Sequence, residues 1–185
     1  MKLKFIPNAI CVARMLLVAP LVLWIVEGRF AAALVVLVVA GLSDGLDGFL
    51  AKRFDWQTRI GGLLDPAADK LLLLSAFISL AVVHQVPRWL TVVVITRDVV
   101  VVLGYFILFM MTQETMEVRP TASGKLSTFF QLGSVACVLI RLVWPGSVPP
   151  VLEYGCFYAA GLLTTVAGLQ YVYRGMVWAQ VRGDA

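Results

Sequence analysis

Long apolar runs, broken at short intervals by polar stretches, leave this chain few folds to adopt. The runs occupy residues 8–26, 30–52, 60–83, 88–111, 121–144 and 151–178, each near the length of about 20 residues that an α-helix needs to cross a bilayer. The breaks at 27–29, 53–59, 84–87, 112–120 and 145–150 carry charge, glycine or proline, the residues that end helices and turn chains. With 61% hydrophobic and 14% charged residues and a mean hydropathy of +0.91, the composition lies far from that of a soluble domain. The expectation is an all-α integral membrane protein of six transmembrane helices, one membrane domain over residues 1–185 with no room for a separate soluble domain. The opening MKLKFIPNAICVARM sets lysines before an apolar run with no small-residue cleavage site after it, which predicts a retained first span over a removed signal peptide.

Charge sets the orientation. An even number of spans puts both termini on one side, together with Lys2, Lys4, Lys52, Arg53, Arg59, Arg119, Lys125, Arg174 and Arg182; the other side keeps Arg29, Arg88 and Arg141. Cationic loops face the cytoplasm, so both termini and the 53–59 break are expected there, in what would be the inner membrane of a bacterium. The net charge of +4 is then a topology signal, and nucleic acid is not an expected partner. Cys11, Cys137 and Cys156 are scattered in apolar runs; without metal-ligand spacing they read as packing residues. Trp144, Tyr154, Tyr171, Tyr173 and Trp178 read as interfacial belts, and His84 as a loop residue far from the acids described next.

Four aspartates stand against this apolar background, in SDGLDGFLAKRFDWQTRIGGLLDPAADK. Asp44 and Asp47 are three apart, Asp65 and Asp69 four apart, so each pair projects from one face of its helix. A short connection makes the two helices antiparallel neighbours, which can gather four carboxylates at one depth. Crowded in a low-dielectric setting, they cannot all stay ionised without compensation. Oxygen-only anionic sites suit hard divalent cations, and the expected cofactor is Mg²⁺ or Mn²⁺, two ions. Gly41, Gly45, Gly48, Gly61 and Gly62 leave open backbone surface around the acids, and Lys52, Arg53 and Arg59 stand ready for phosphate charge. A metal-bound diphosphate fits this set. Capping or a buried ion pair accounts for one such aspartate but poorly for four, since intramembrane acids are expensive and mark function.

The segment resembles the signature of the CDP-alcohol phosphatidyltransferases: Asp44, two residues, Asp47-Gly48, two residues, Ala51-Lys52, eight residues, Gly61, three residues, Asp65, three residues, Asp69. The spacing matches throughout, with Lys52 where the family usually has arginine. The resemblance implies a six-helix membrane fold, a homodimer, a cytoplasm-facing active site and attack of an acceptor hydroxyl on the β-phosphorus of CDP-diacylglycerol with release of CMP. It also implies roles. Asp44, Asp47, Asp65 and Asp69 would hold metal, Asp69 would also take the acceptor proton, and Gly48, Ala51, Lys52 and Gly61 would line the CDP moiety.

The acceptor is expected to contact the fourth and fifth helices, where Arg97, inside an apolar run beside Asp98, and Lys125 are candidate anion contacts. Residues adjacent on a helix do not ordinarily face one another, which favours anion binding by Arg97 over a structural pair with Asp98. The stretch Gly124-Lys125-Leu126-Ser127-Thr128 departs from the G-K-x-K-T typical of glycerol-3-phosphate-using relatives, with Ser127 at the second lysine. One cation fewer suits phosphatidylglycerol, a monoanionic diester, and the wider sequence over roughly residues 6–131, with EGRFAAALVVLVVAGLSDGLDGFLAK, TRDVVVVLGYF and RPTASGKLST, is similar to the eukaryotic-type cardiolipin synthases of the superfamily. Glycerol-3-phosphate is the alternative acceptor. Prenyltransferases carry their acidic motifs much farther apart. A divalent-cation transporter would need polar residues continuing across the bilayer, whereas residues 30–40 and 71–83 are almost wholly apolar.

Overall fold

In a computed structural model, the described residues have their backbone at 6–54, 61–112 and 122–183, and their side chains at 12–43, 70–104, 122–177 and 180. Six α-helices run in order: α1 (Ile6–Val26), α2 (Phe30–Phe54), α3 (Gly61–Val82), α4 (Arg88–Thr112), α5 (Ala122–Val143) and α6 (Pro150–Gly183). Among the described residues there is no strand. The helices fall where the apolar runs predict them, and the largest departure is the end of α6, which continues past Trp178 to Gly183. Two helices, α5 (Ala122–Val143) and the Pro150–Val177 part of α6, are long and apolar enough to cross a membrane by length and composition. The apolar stretches described in α1, α2 and α3 are shorter: Val12–Val26, Phe30–Ser43 and Lys70–Val82.

The turns have simple causes. Gly28 takes φ 75° between α1 and α2, and Gly146 takes φ 89° between α5 and α6, a left-handed backbone that glycine adopts at no steric penalty. His84, the residue expected in a loop, sits exposed in the turn after α3 with φ 59°. Pro150 opens α6, where a missing N–H is no loss and the ring pre-sets a helical φ.

The chain divides into two compact units, one of residues 1–86 and 135–148, the other of 87–134 and 149–185. In the first, α1 packs against both α2 and α3. Leu21 and Ile25 of α1, Ala33, Val36, Leu37 and Ala40 of α2, and Leu72, Leu73, Ala76, Phe77 and Leu80 of α3 are among its buried apolar residues. Their three- and four-residue spacings mark one stripe per helix. At the far end of this unit the Arg141 Nη2 donates to Gln85 Oε1 at 3.0 Å. Among the described residues α2 and α3 each pack on α1, and the direct α2–α3 packing expected from their short connection is not among the main helix pairings.

In the second unit α4 packs against α6. Gly161 lies against Trp89, where a Cβ would come within 2.6 Å of the indole Cζ3, and Gly168 lies against the Arg97 stem, where a Cβ would stand 3.3 Å from Cγ. Positions rise together along both helices, so α4 and α6 run parallel. The α5–α6 pair runs antiparallel: Ser123 Oγ donates to Gln170 Oε1 at 2.6 Å, and Gln131 Nε2 donates to Thr164 Oγ1 at 2.8 Å. Cys137 and Cys156 are half-buried and in no disulfide, in keeping with packing; the side chain of Cys11 lies outside the described residues.

Candidate active site

The aspartate site is built on unit one. Positions 44, 47, 48, 51 and 52 fall on α2, and 61, 65 and 69 on α3. The side chains of Asp44, Asp47, Gly48, Ala51, Lys52, Gly61, Asp65 and Asp69 lie outside the described residues. Each helix reaches this region from a well-packed apolar half. On α2 the last buried residue among those described is Ala40, and Ser43 Oγ donates back to the Val39 carbonyl at 2.7 Å, satisfying a hydroxyl within the apolar run. On α3 the first buried residue among those described is Leu72, one turn after position 69. Among the described residues no group of three His, Cys, Asp or Glu side chains is placed to hold a metal. The four aspartates, an all-oxygen donor set divided between two helices seated on the same α1, are chemically suited to a hard divalent ion.

One charged residue in this unit was not singled out from the sequence. Arg14, on α1, is 1% exposed and ranks among the largest fully buried side chains. The signal was present, since an arginine inside an apolar run is expensive and marks function. It lies on the buried stripe of Leu21 and Ile25, seven and eleven residues before them.

Unit two holds both candidate acceptor contacts. Arg97 is half-buried on α4, and its Nη1 donates to Asp98 Oδ1 at 2.7 Å, the two side chains being 15% and 18% exposed. Adjacency on the helix therefore does not keep the pair apart, because the long guanidinium stem can curl back onto its neighbour. The ion pair engages one arm; Arg97 Nε is buried with no hydrogen-bond partner among the described residues. Lys125 is exposed on the first turn of α5. The α6 helix gives their register: Arg97 meets Gly168, and Ser123 meets Gln170, so the two cations stand at about the same level along α6. Ser127, one turn beyond Ser123, is 1% exposed and its Oγ donates to the Gly124 carbonyl at 2.9 Å.

Beyond Ser127, a polar row on α5 also escaped the sequence reading. Ser127, Gln131 and Ser134, at spacings of four and three, are all buried. Gln131 meets Thr164 of α6, a cross-helix contact of the kind that joins helices in an apolar medium.

Comparison with known proteins places this architecture. A family model described as CDP-alcohol phosphatidyltransferase matches residues 4–170. A probable cardiolipin synthase (CMP-forming) of Drosophila melanogaster is 34% identical over 182 residues, 90% of this chain and 56% of the fly protein. A cardiolipin synthase (CMP-forming) of Streptomyces coelicolor is 34% identical over 193 residues, 97% of this chain and 87% of that protein. A probable phosphatidylglycerophosphate synthase of Mycobacterium tuberculosis is 33% identical over 153 residues, 80% of this chain and 70% of its own length. The chain thus spans little more than half of the fly relative.

Proposed function

We propose that this chain, which belongs to the CDP-alcohol phosphatidyltransferase family, transfers the phosphatidyl group of CDP-diacylglycerol to an acceptor alcohol and releases CMP. The observation that carries the proposal is the aspartate signature, complete in spacing from Asp44 to Asp69 and divided between α2 and α3 of one packed unit. An acceptor oxygen forms a bond to the β-phosphorus, the bond from that phosphorus to the CMP oxygen breaks, and the hydroxyl proton passes to Asp69. Asp44, Asp47, Asp65 and Asp69 would hold Mg²⁺ or Mn²⁺, two ions, which when bound supply Lewis-acid stabilisation of charge on the phosphoryl and leaving-group oxygens. Gly48, Ala51 and Gly61 leave room for the CDP moiety, and Lys52 contributes a cation to its phosphates.

The acceptor is phosphatidylglycerol and the product cardiolipin. Two relatives named cardiolipin synthase align with nearly the whole chain, and position 127 supports the same choice. A second lysine there would add a cation for a phosphomonoester, whereas this chain has a buried serine bonded to its own helix. Arg97 and Lys125, level along α6, are the proposed contacts to the acceptor phosphate. The second reading, glycerol-3-phosphate as acceptor, draws on the mycobacterial relative. The protein acts as a homodimer in a bacterial cytoplasmic membrane, all six helices spanning it, with both termini and the site on the cytoplasmic side, a topology supported by the distribution of lysine and arginine.

The test offers purified protein labelled CDP-diacylglycerol, Mn²⁺ and each acceptor separately. The expected product is cardiolipin with phosphatidylglycerol. Product with glycerol-3-phosphate alone would reassign the acceptor, and no CMP release with either would overturn the transferase reading.

A further inference from the structure

We infer that Arg14 is the fixed counter-charge of the four aspartates, a positioning residue that keeps their carboxylates gathered when no divalent ion is bound; the inference rests on the proposed metal site. A guanidinium with 1% exposure has lost nearly all its water, and a buried charge is tolerated only where an opposite charge or a full set of hydrogen bonds replaces that water. Arg14 does make at least one such interaction, while its buried Nε has no hydrogen-bond partner among the described residues.

Topology brings it to the acids. α1 and α2 form a hairpin turning at Gly28, so position 14 stands opposite position 42. Asp44 lies about 3 Å and Asp47 about 7.5 Å farther toward the open end of the hairpin, at 1.5 Å rise per residue. Helical side chains lean toward the N-terminus of their helix, and for α1 that is the open end, so a long side chain at position 14 has the level of both aspartates within its reach. α3 starts at this same end and packs on α1. The backbone positions 14, 44 and 47 thus stand toward the open end of the hairpin, and positions 65 and 69 belong to the same unit. A hydrophobic residue at position 14 would pack as well in the stripe of Leu21 and Ile25 but would leave four carboxylates to repel one another.

The counter-charge role has a signature that packing lacks. Arg14 stabilises the metal-free site and repels the incoming cation, so removing it should tighten metal binding while weakening the empty protein. The experiment titrates full-length protein with Mn²⁺ alone, following the free-ion electron paramagnetic resonance signal. At an effective protein dielectric of about 20 and a separation of about 10 Å, screened by solvent, Arg14→Met should bind Mn²⁺ about tenfold more tightly. Arg14→Lys, which keeps the charge, should stay within about twofold of wild type. Folded Arg14→Met with unchanged or weaker Mn²⁺ binding would overturn the inference and leave the metal site standing. A wild-type protein that binds no Mn²⁺ would overturn the metal site, and the inference with it. If Arg14→Met does not fold, Asp44→Asn in the same chain should restore folding by removing one uncompensated carboxylate; continued misfolding would refute the counter-charge role.

Discussion

Gly161 and Gly168 provide a controlled comparison along one helical seam. Both face α4 from α6, two turns apart, and both become alanine by the same single methyl. At Gly161 that methyl would come within 2.6 Å of Trp89 Cζ3 and 3.0 Å of its Cη2, with Leu90 Cδ1 at 3.6 Å. The first of these is a clash with a rigid ring. Trp89 is 43% exposed and stacks on Tyr158, with ring centroids 5.7 Å apart and planes inclined by 22°. Relief therefore requires that the helices part, at about 1–3 kcal/mol for overpacking, or that the indole swing outward and give up a stack worth about 0.5–1.5 kcal/mol. At Gly168 the nearest atom is Arg97 Cγ at 3.3 Å, part of a flexible stem that can yield by a few tenths of an ångström. Each substitution gains about 1 kcal/mol of helix propensity, and this gain cancels in the comparison. Gly161→Ala should be less stable than Gly168→Ala by about 1–2 kcal/mol, read as the difference in reversible unfolding in detergent. Adding Trp89→Leu to Gly161→Ala should remove most of the difference. Equal stability of the two glycine variants would refute the seam as described.

Two further outcomes follow from the proposed chemistry. EDTA should stop CMP release and added Mn²⁺ or Mg²⁺ should restore it, because carboxylates reach a diphosphate only through a bridging cation; full activity after exhaustive chelation would remove the metal from the account. Lys125→Ala should raise the acceptor KM about tenfold, the loss expected for a charge-assisted hydrogen bond, with the KM for CDP-diacylglycerol unchanged. A change in the donor KM instead would move Lys125 out of the acceptor contact.

The fold was legible in the sequence because helix ends in this chain are chemical. Glu27-Gly28-Arg29 and the proline-flanked 145–150 break terminate the apolar runs close to where α1, α2, α5 and α6 begin and end. The end of α6 was missed by five residues, since nothing between Trp178 and Gly183 breaks a helix. Which side of each helix faces another helix was less legible. When both sides are apolar, as with exposed Val35, Val38 and Val39 beside buried Val36 and Leu37, hydropathy alone does not tell a packed face from a lipid-facing one. The seam glycines and the polar row of Ser127, Gln131 and Ser134 carry that information in their spacing. Of the site, the aspartate positions follow from the spacing alone. The burial of Arg14 does not, because it depends on how α1 lies against α2 and α3, a tertiary fact. The Arg97–Asp98 pair likewise turns on the reach of a side chain, which a helical-wheel argument leaves out.

The central claim is that the carboxylates at 44, 47, 65 and 69 form a site for chemistry, and Asp69 tests it most directly. Removing a general base lowers turnover by about 10²–10⁴-fold. Asp69→Asn, purified as a folded protein with wild-type unfolding behaviour, should therefore release CMP from CDP-diacylglycerol at or near background with any acceptor. A folded Asp69→Asn variant that turns over at the wild-type rate would contradict the account.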